Sequence, residues 1–334
     1  MKEKQQAIMK NYTMEDELIR MGGGEPQMDP IRSHTAGNKA LNSSNGELAE
    51  WWDFLFRELA DPRTSKWALM DNPLPTITIL SLYLYFVTNL GPKMMKNRKP
   101  FDLKNVLIVY NVVQVLVSTW IVWEAVDGLW INKYSMFRCE SVDRKVTPEN
   151  IRICRGFYVY YIAKISELLD TIFFVLRKKD NQITFLHLYH HTGMPAMAWA
   201  TTKYYPGGHA AFIGTINSFV HMVMYSYYLL AAMGPTIQKY LWWKKWLTSL
   251  QLGQFCLAFL HYSLVLFNDC NYPKWTVIIV FPNAIFFYYL FWEFYQKAYN
   301  TERPEKVNRA VKNGVNSSHS NGHAISNGHR VKDE

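Results

Sequence analysis

The chain has 334 residues, 49% of them hydrophobic and 16% aromatic, and a formal net charge of +9. Its mean hydropathy of −0.14 averages polar ends with strongly apolar blocks, and the aromatic share is high for a soluble domain. The positive charges gather at the ends of the apolar blocks, which argues against a nucleic-acid partner and for lipid headgroups or an anionic substrate.

In chain order, residues 1–73 read as a polar N-terminal tail with GGGEP at 22–26 and SSNG at 43–46, followed by a short helix near 46–60. The first twenty residues have no apolar core, so no cleavable signal peptide is expected. Sequons at Asn11 and Asn42 are candidate glycosylation sites. Seven apolar blocks follow, at about 74–92, 105–125, 154–176, 183–202, 209–232, 246–267 and 276–297. Each is roughly 20 residues, the length of a helix that crosses a hydrocarbon core. The alternative, a large soluble protein with seven buried helices, fits poorly with such short basic connections. Residues 300–334 are rich in Asn, Gly, Ser and His and read as a disordered tail. The chain ends RVKDE, where Arg330 and Lys332 resemble a basic retrieval signal or are two charges in a tail.

The basic connections set the topology. Lys93, Lys96, Arg98, Lys99 and Lys104 follow the first block, Arg177, Lys178 and Lys179 the third, and Lys239, Lys244 and Lys245 the fifth. All fall on one face, which the positive-inside rule assigns to the cytosol. The expectation is therefore a multi-pass protein with its N-terminus on the lumenal side and its C-terminus in the cytosol. Cys139 and Cys270 fall in two loops on the lumenal face, where a disulfide between them is permitted. Cys154 and Cys256 lie in or beside spans and read as packing residues.

Polar side chains inside spans are costly and so point to function. Span three places Lys164, Glu167, Asp170 and Thr171 on one helical face. The bland reading of Lys164 and Glu167 is an ion cluster that neutralises itself. Span four carries FLHLYHH, with His187, His190 and His191 at i, i+3 and i+4. Span five runs Asn217, His221, Tyr225 and Tyr228 along one face, and span six runs Thr248, Gln251 and Gln254. Tyrosines and glutamines at such positions can also simply join neighbouring helices. Together the four stripes predict a polar chamber inside a helical bundle.

The histidine cluster invites a metal reading, because membrane di-iron enzymes use histidine boxes on several spans. Here His34, His319, His323 and His329 lie in the tails, which leaves too few for that arrangement. A single ion held by the cluster with His221 and Asp170 stays open. The competing chemistry is nucleophilic and acid–base catalysis by imidazole: a neutral His attacks a thioester, and a second His donates to a developing oxyanion.

The stretches KISELLDT (164–171), QITFLHLYHH (182–191), NSFVHMVMYSYY (217–228) and TSLQLGQ (248–254) closely resemble the four motifs of the fatty-acid elongases, in order and spacing, within a likeness covering about 70–300. VLIVYN (106–111) and IQKYLWWKKWLT (237–248) are most similar to the long- and very-long-chain members. The resemblance implies an all-α integral membrane fold over 74–299. Seven transmembrane helices are expected, six forming a barrel around a closed-ended acyl tunnel. It implies a very-long-chain 3-oxoacyl-CoA synthase of the endoplasmic reticulum membrane, which condenses acyl-CoA with malonyl-CoA and needs no bound cofactor or metal. With no cysteine on a polar stripe, His190 is the expected acyl acceptor, His187 and His191 orient it and move protons, and His221 supports the malonyl-derived enolate. Asp170 is expected to hold a histidine tautomer, and Lys164 and Glu167 to organise the chamber. Asn217, Tyr225, Gln251 and Gln254 are candidate carbonyl or pantetheine contacts, and Arg177, Lys178, Lys179, Lys244 and Lys245 candidate contacts for CoA phosphates. Expected partners, by the logic of an elongation cycle, are a ketoacyl reductase, a dehydratase and an enoyl reductase, and a homodimer is a separate expectation. The alternative from another class is a seven-span transporter or receptor with a His/Asp proton relay.

Overall fold

A computed structural model describes residues 43–130, 134–135, 137–268 and 270–299. The sequons at Asn11 and Asn42, Arg330, Lys332 and the tail from 300 lie outside the described residues. Among the described residues every regular element is helical. The chain divides into two units, Met1–Glu50 and Trp51–Glu334. Helix α1 (Ser43–Asp53) begins in the first and covers most of the short helix expected near 46–60.

The second unit holds the long helices. They are α2 (Leu74–Met95), α3 (Lys104–Ala125), α4 (Pro148–Ser166), α5 (Leu168–Leu176), α6 (Phe185–Tyr204), α7 (Ala210–Ala232), α8 (Lys244–Phe267) and α9 (Thr276–Tyr299). Four of them, α2, α3 extended to Gly128, α8 and α9, are long and apolar enough to cross a membrane. This is a membrane protein. The other three predicted spans correspond to α4 with α5, α6, and α7, which carry the histidine and carboxylate stripes. The break after Ser166 leaves α5 only nine residues long.

Local chemistry explains several boundaries. Thr147 caps α4 by accepting from the Asn150 N–H, with Pro148 in the first turn where its missing N–H costs nothing. Thr184 caps α6 by accepting from the His187 N–H. Pro195 sits inside α6 and cannot donate to the carbonyl four residues back, that of His191. The predicted third span is broken: α4 ends at Ser166 and α5 starts at Leu168, with Glu167 at the joint. Such interruptions of the α ladder recur at functional sites.

Helix α3 packs along α7, α8 pairs with α9, and α4 pairs with α6. Packed structure also starts earlier than residue 74. Asp61, Thr64 and Met70 are fully buried. The Asp61 N–H donates to the Lys203 carbonyl at 2.8 Å, Thr64 Oγ1 donates to the Thr202 carbonyl at 2.9 Å, and Lys203 Nζ donates to the Met70 and Asp71 carbonyls at 2.6 and 2.9 Å. The strap 61–71 is thereby fastened to the C-terminal end of α6. Arg63 and Asp61 form a buried ion pair within it at 2.7 Å. Near the same end Cys139 and Cys270 are joined as a disulfide, 131 residues apart in sequence. Cys154 is buried, whereas Cys256 is exposed and is no packing residue.

Candidate active site

The α4–α5 joint supplies the charged half of the site. Lys164 Nζ donates to both Glu167 carboxylate oxygens, at 2.9 and 3.1 Å, and all three groups of the Lys164, Glu167 and His221 set are buried. His221 Nδ1 lies 3.0 Å from Glu167 Oε1 and 3.3 Å from Lys164 Nζ. An ionised carboxylate only accepts and an ammonium only donates. The consistent assignment puts a proton on His221 Nδ1, donated to Glu167, and leaves Nε2 with the lone pair.

Asp170 lies three residues on and takes a different partner. Tyr225 Oη donates to Asp170 Oδ2 at 2.7 Å. The carboxylate that bonds a histidine of α7 is thus Glu167, while Asp170, three residues on, meets Tyr225, four residues beyond His221. Thr171 continues the face: its Oγ1 lies 2.7 Å from His187 Nε2 and 2.7 Å from Tyr83 Oη of α2. His187 is therefore held from α5 by a threonine that Tyr83 of α2 fixes in turn.

The three histidines of α6 form a ring cluster. His187 and His191 lie 4.1 Å apart between centroids, and His190 and His191 5.3 Å. His190 faces His221 in a near-parallel arrangement at 6.3 Å, with Phe287 of α9 edge-on at 5.5 Å. Among the described residues neither nitrogen of His190 has a hydrogen-bond partner, which sets it apart from His187 and His221. The donors of the single-ion arrangement do not converge: Asp170 is bound by Tyr225 and His187 by Thr171. No group of three His, Cys, Asp or Glu side chains among the described residues is arranged to hold a metal.

One turn below this network, Tyr160 Oη donates to Asn217 Oδ1 at 2.9 Å, and Lys164 Nζ stands 4.9 Å over the Tyr160 ring. Gln251 Nε2 points at Met224 Sδ at 3.6 Å, and Gln254 is buried. The five candidate phosphate-binding cations are not brought into this cluster. Arg177 caps the end of α5, ten residues or about 15 Å of helix from Glu167. Lys178 Nζ reaches the Lys96 carbonyl at 3.3 Å, and Lys245 stands 5.6 Å over the Tyr295 ring. Lys179 and Lys244 are exposed.

Sequence reasoning missed the α3 contribution. Asn111, Gln114 and Ser118 are buried at helical spacing, and Gln114 Nε2 donates to Ser166 Oγ at 2.8 Å. That stripe was readable as polar residues inside an apolar block. The Tyr189–Asn283 bond at 2.8 Å, which ties α6 to α9, was not readable.

A cavity of about 390 Å³ begins beneath the polar network, with Tyr160 in its wall. Along α6 it runs from Met194, one turn past His190, to Tyr204, ten residues or about 15 Å. Helices α3, α4, α6, α7, α8 and α9 all contribute to the wall, which is mostly aliphatic and aromatic. At its far end Arg152 pairs with Glu124 and Asp127.

Residues 68–307 match the family described as ELO: GNS1/SUR4. The chain belongs to this elongase family. Among the relatives of this elongase-family chain is "Very long chain fatty acid elongase 7" of Drosophila melanogaster. It is 48% identical over 274 residues, covering 81% of this chain and 82% of the relative. "Very long chain fatty acid elongase 7" of Rattus norvegicus is 49% identical over 258 residues, 76% of this chain and 90% of the relative. "Very long chain fatty acid elongase 4" of Mus musculus is 44% identical over 278 residues, 83% and 88%. The matched span contains all four polar stripes and the cavity beneath them.

Proposed function

We propose that this protein is the condensing enzyme of fatty-acid elongation. It joins a long or very long acyl-CoA to malonyl-CoA, and the acyl group passes through His190. One observation carries the assignment. An imidazole with no hydrogen-bond partner among the described residues, His190, sits beside the Lys164–Glu167–His221 network and one helical turn above a long apolar cavity. A thioester carbonyl at that junction has a nucleophile on one side and room for its alkyl chain on the other.

The steps balance as follows. A nitrogen lone pair of His190 attacks the thioester carbonyl, the C–S bond breaks, and CoA leaves as thiolate and takes up a proton. The acyl-imidazole then meets malonyl-CoA, whose carboxylate leaves as carbon dioxide and whose C–C bonding pair becomes the enolate. The enolate carbon attacks the acyl carbonyl, the C–N bond to His190 breaks, and 3-oxoacyl-CoA is released. His221 accepts at Nε2 the proton that His190 loses on acylation, with Glu167 stabilising the resulting imidazolium, while the CoA thiolate takes its proton from solvent. As the imidazolium it donates to the enolate oxygen and returns the proton to His190 when the C–N bond breaks. Tyr225, Asn217, Gln251 and Gln254 are proposed carbonyl or pantetheine contacts, and the cations at the ends of α5 and α8 are proposed contacts for CoA phosphates.

The six-helix composition of the cavity wall supports a barrel around an acyl tunnel. The basic connections support a cytosolic C-terminus, and residence in the endoplasmic reticulum membrane belongs to the same proposal. The reductase, dehydratase and enoyl reductase that complete a cycle, and a homodimer, belong to the same proposal.

Purified protein given carboxyl-labelled malonyl-CoA and a long acyl-CoA should release labelled carbon dioxide only when both are present. No release from folded protein would return the chain to the transporter or receptor alternative.

A further inference from the structure

Helices α4 and α7 meet in layers. Lys164 contacts His221 in the uppermost. Four residues lower on each helix, Tyr160 contacts Asn217. Continuing that register by one more turn brings the chain to Gly156 on α4 and Gly214 on α7. Both line the cavity, and a Cβ built at either would meet no atom within 4 Å. Gly156 lies eight residues, about 12 Å of helix, below Lys164, and Gly214 seven residues, about 11 Å, below His221. Bulky side chains border the same space, Phe157 next to Gly156 and Ile213 next to Gly214. A side chain at either glycine would project into the cavity part-way down its length.

From this we infer that Gly156 and Gly214 set the chain-length limit of the acyl substrate, by keeping the cavity continuous between its upper and lower halves. The inference rests on the condensing reading above and assigns a specificity role within it. The two glycines are not catalytic. They lie well below the reacting groups, so filling the window leaves the chemistry intact for acyl chains that end above it. Chains that reach past it are excluded by overlap, and an apolar pocket discriminates by about 10–200-fold per methylene misfit.

The test is a graded series, Gly156→Ala, Gly156→Val and Gly156→Leu with the same three changes at Gly214, in full-length protein purified in detergent. Condensation is measured with malonyl-CoA and saturated acyl-CoAs of increasing length. The limiting chain length should fall stepwise from Ala to Leu. With Leu, kcat/KM for the longest acyl-CoA should drop about tenfold or more, and the shortest acceptor should stay within about twofold of wild type. Gly253→Leu is the control. Gly253 is exposed on α8, and its added Cβ also meets nothing within 4 Å, so its length profile should match wild type. The Ala variants add one methyl to open space and keep the series informative should the Leu variants fold poorly. An unchanged limit across the series overturns the inference, as does equal loss at every chain length in variants with wild-type thermal stability. Wild-type protein that condenses no acyl-CoA at all overturns the condensing reading instead.

Discussion

His190 and His221 occupy different electrostatic settings although their rings face each other at 6.3 Å. His221 has a committed tautomer, because its Nδ1–H donates to Glu167. His190 has no such partner among the described residues. Under the proposed function the two side chains divide the work. His190→Ala should abolish condensation, and no acyl adduct should be trapped on the variant. His221→Ala should lower kcat by about 10²–10⁴-fold, the usual worth of a positioned proton-transfer group. Glu167→Gln separates charge from shape, since it removes the carboxylate but keeps the side-chain size. It should lower kcat more than it raises KM, and it should also destabilise the fold, because it leaves the Lys164 charge buried and uncompensated. A Glu167→Gln enzyme with wild-type kcat would remove Glu167 from the proton pathway.

At the scale of elements, the four polar stripes were legible because helical spacing turns i, i+3 and i+4 into one face. Residue by residue, Lys164, Glu167 and His221 come together, while Asp170 and Asn217 on the same faces bond Tyr225 and Tyr160. Which partner each chooses was not legible. Asp170 and Glu167 look interchangeable in sequence, and the packing of this face against α7 decides that one meets Tyr225 and the other His221. The Tyr83–Thr171–His187 chain was hidden for a similar reason, since Tyr83 belongs to a helix with no recognisable polar stripe. The cap of α6 makes a separate prediction. Thr184 fixes the first turn of the helix that carries all three histidines, so Thr184→Ala should cost about 1 kcal/mol, read as a lowered melting temperature, while Thr184→Ser should largely restore it.

The whole molecule is fastened at the end opposite the basic cations. The strap 61–71, the buried Asp61–Arg63 pair and the Cys139–Cys270 bond all lie toward the C-terminal end of α6, where the cavity stops. A start at residue 74 was expected for the folded unit, because residues 61–71 are too polar to read as a core. Their burial depends on Lys203, whose charge is satisfied by backbone carbonyls of the strap. Asp61→Ala would leave Arg63 buried without its partner and should destabilise the protein by about 3–5 kcal/mol, measured by thermal unfolding in detergent. Substituting both residues with apolar ones of similar volume should cost much less.

The central claim is that His190 carries the acyl group between thioester and malonyl-derived enolate. Its most direct test incubates the purified protein with labelled long-chain acyl-CoA alone, without malonyl-CoA, and maps the covalently bound label by mass spectrometry of its peptides. The expected result is one acyl group on His190, absent from His190→Ala and discharged as 3-oxoacyl-CoA when malonyl-CoA is added. Label on another residue, or condensation by His190→Ala at the wild-type rate, would contradict it.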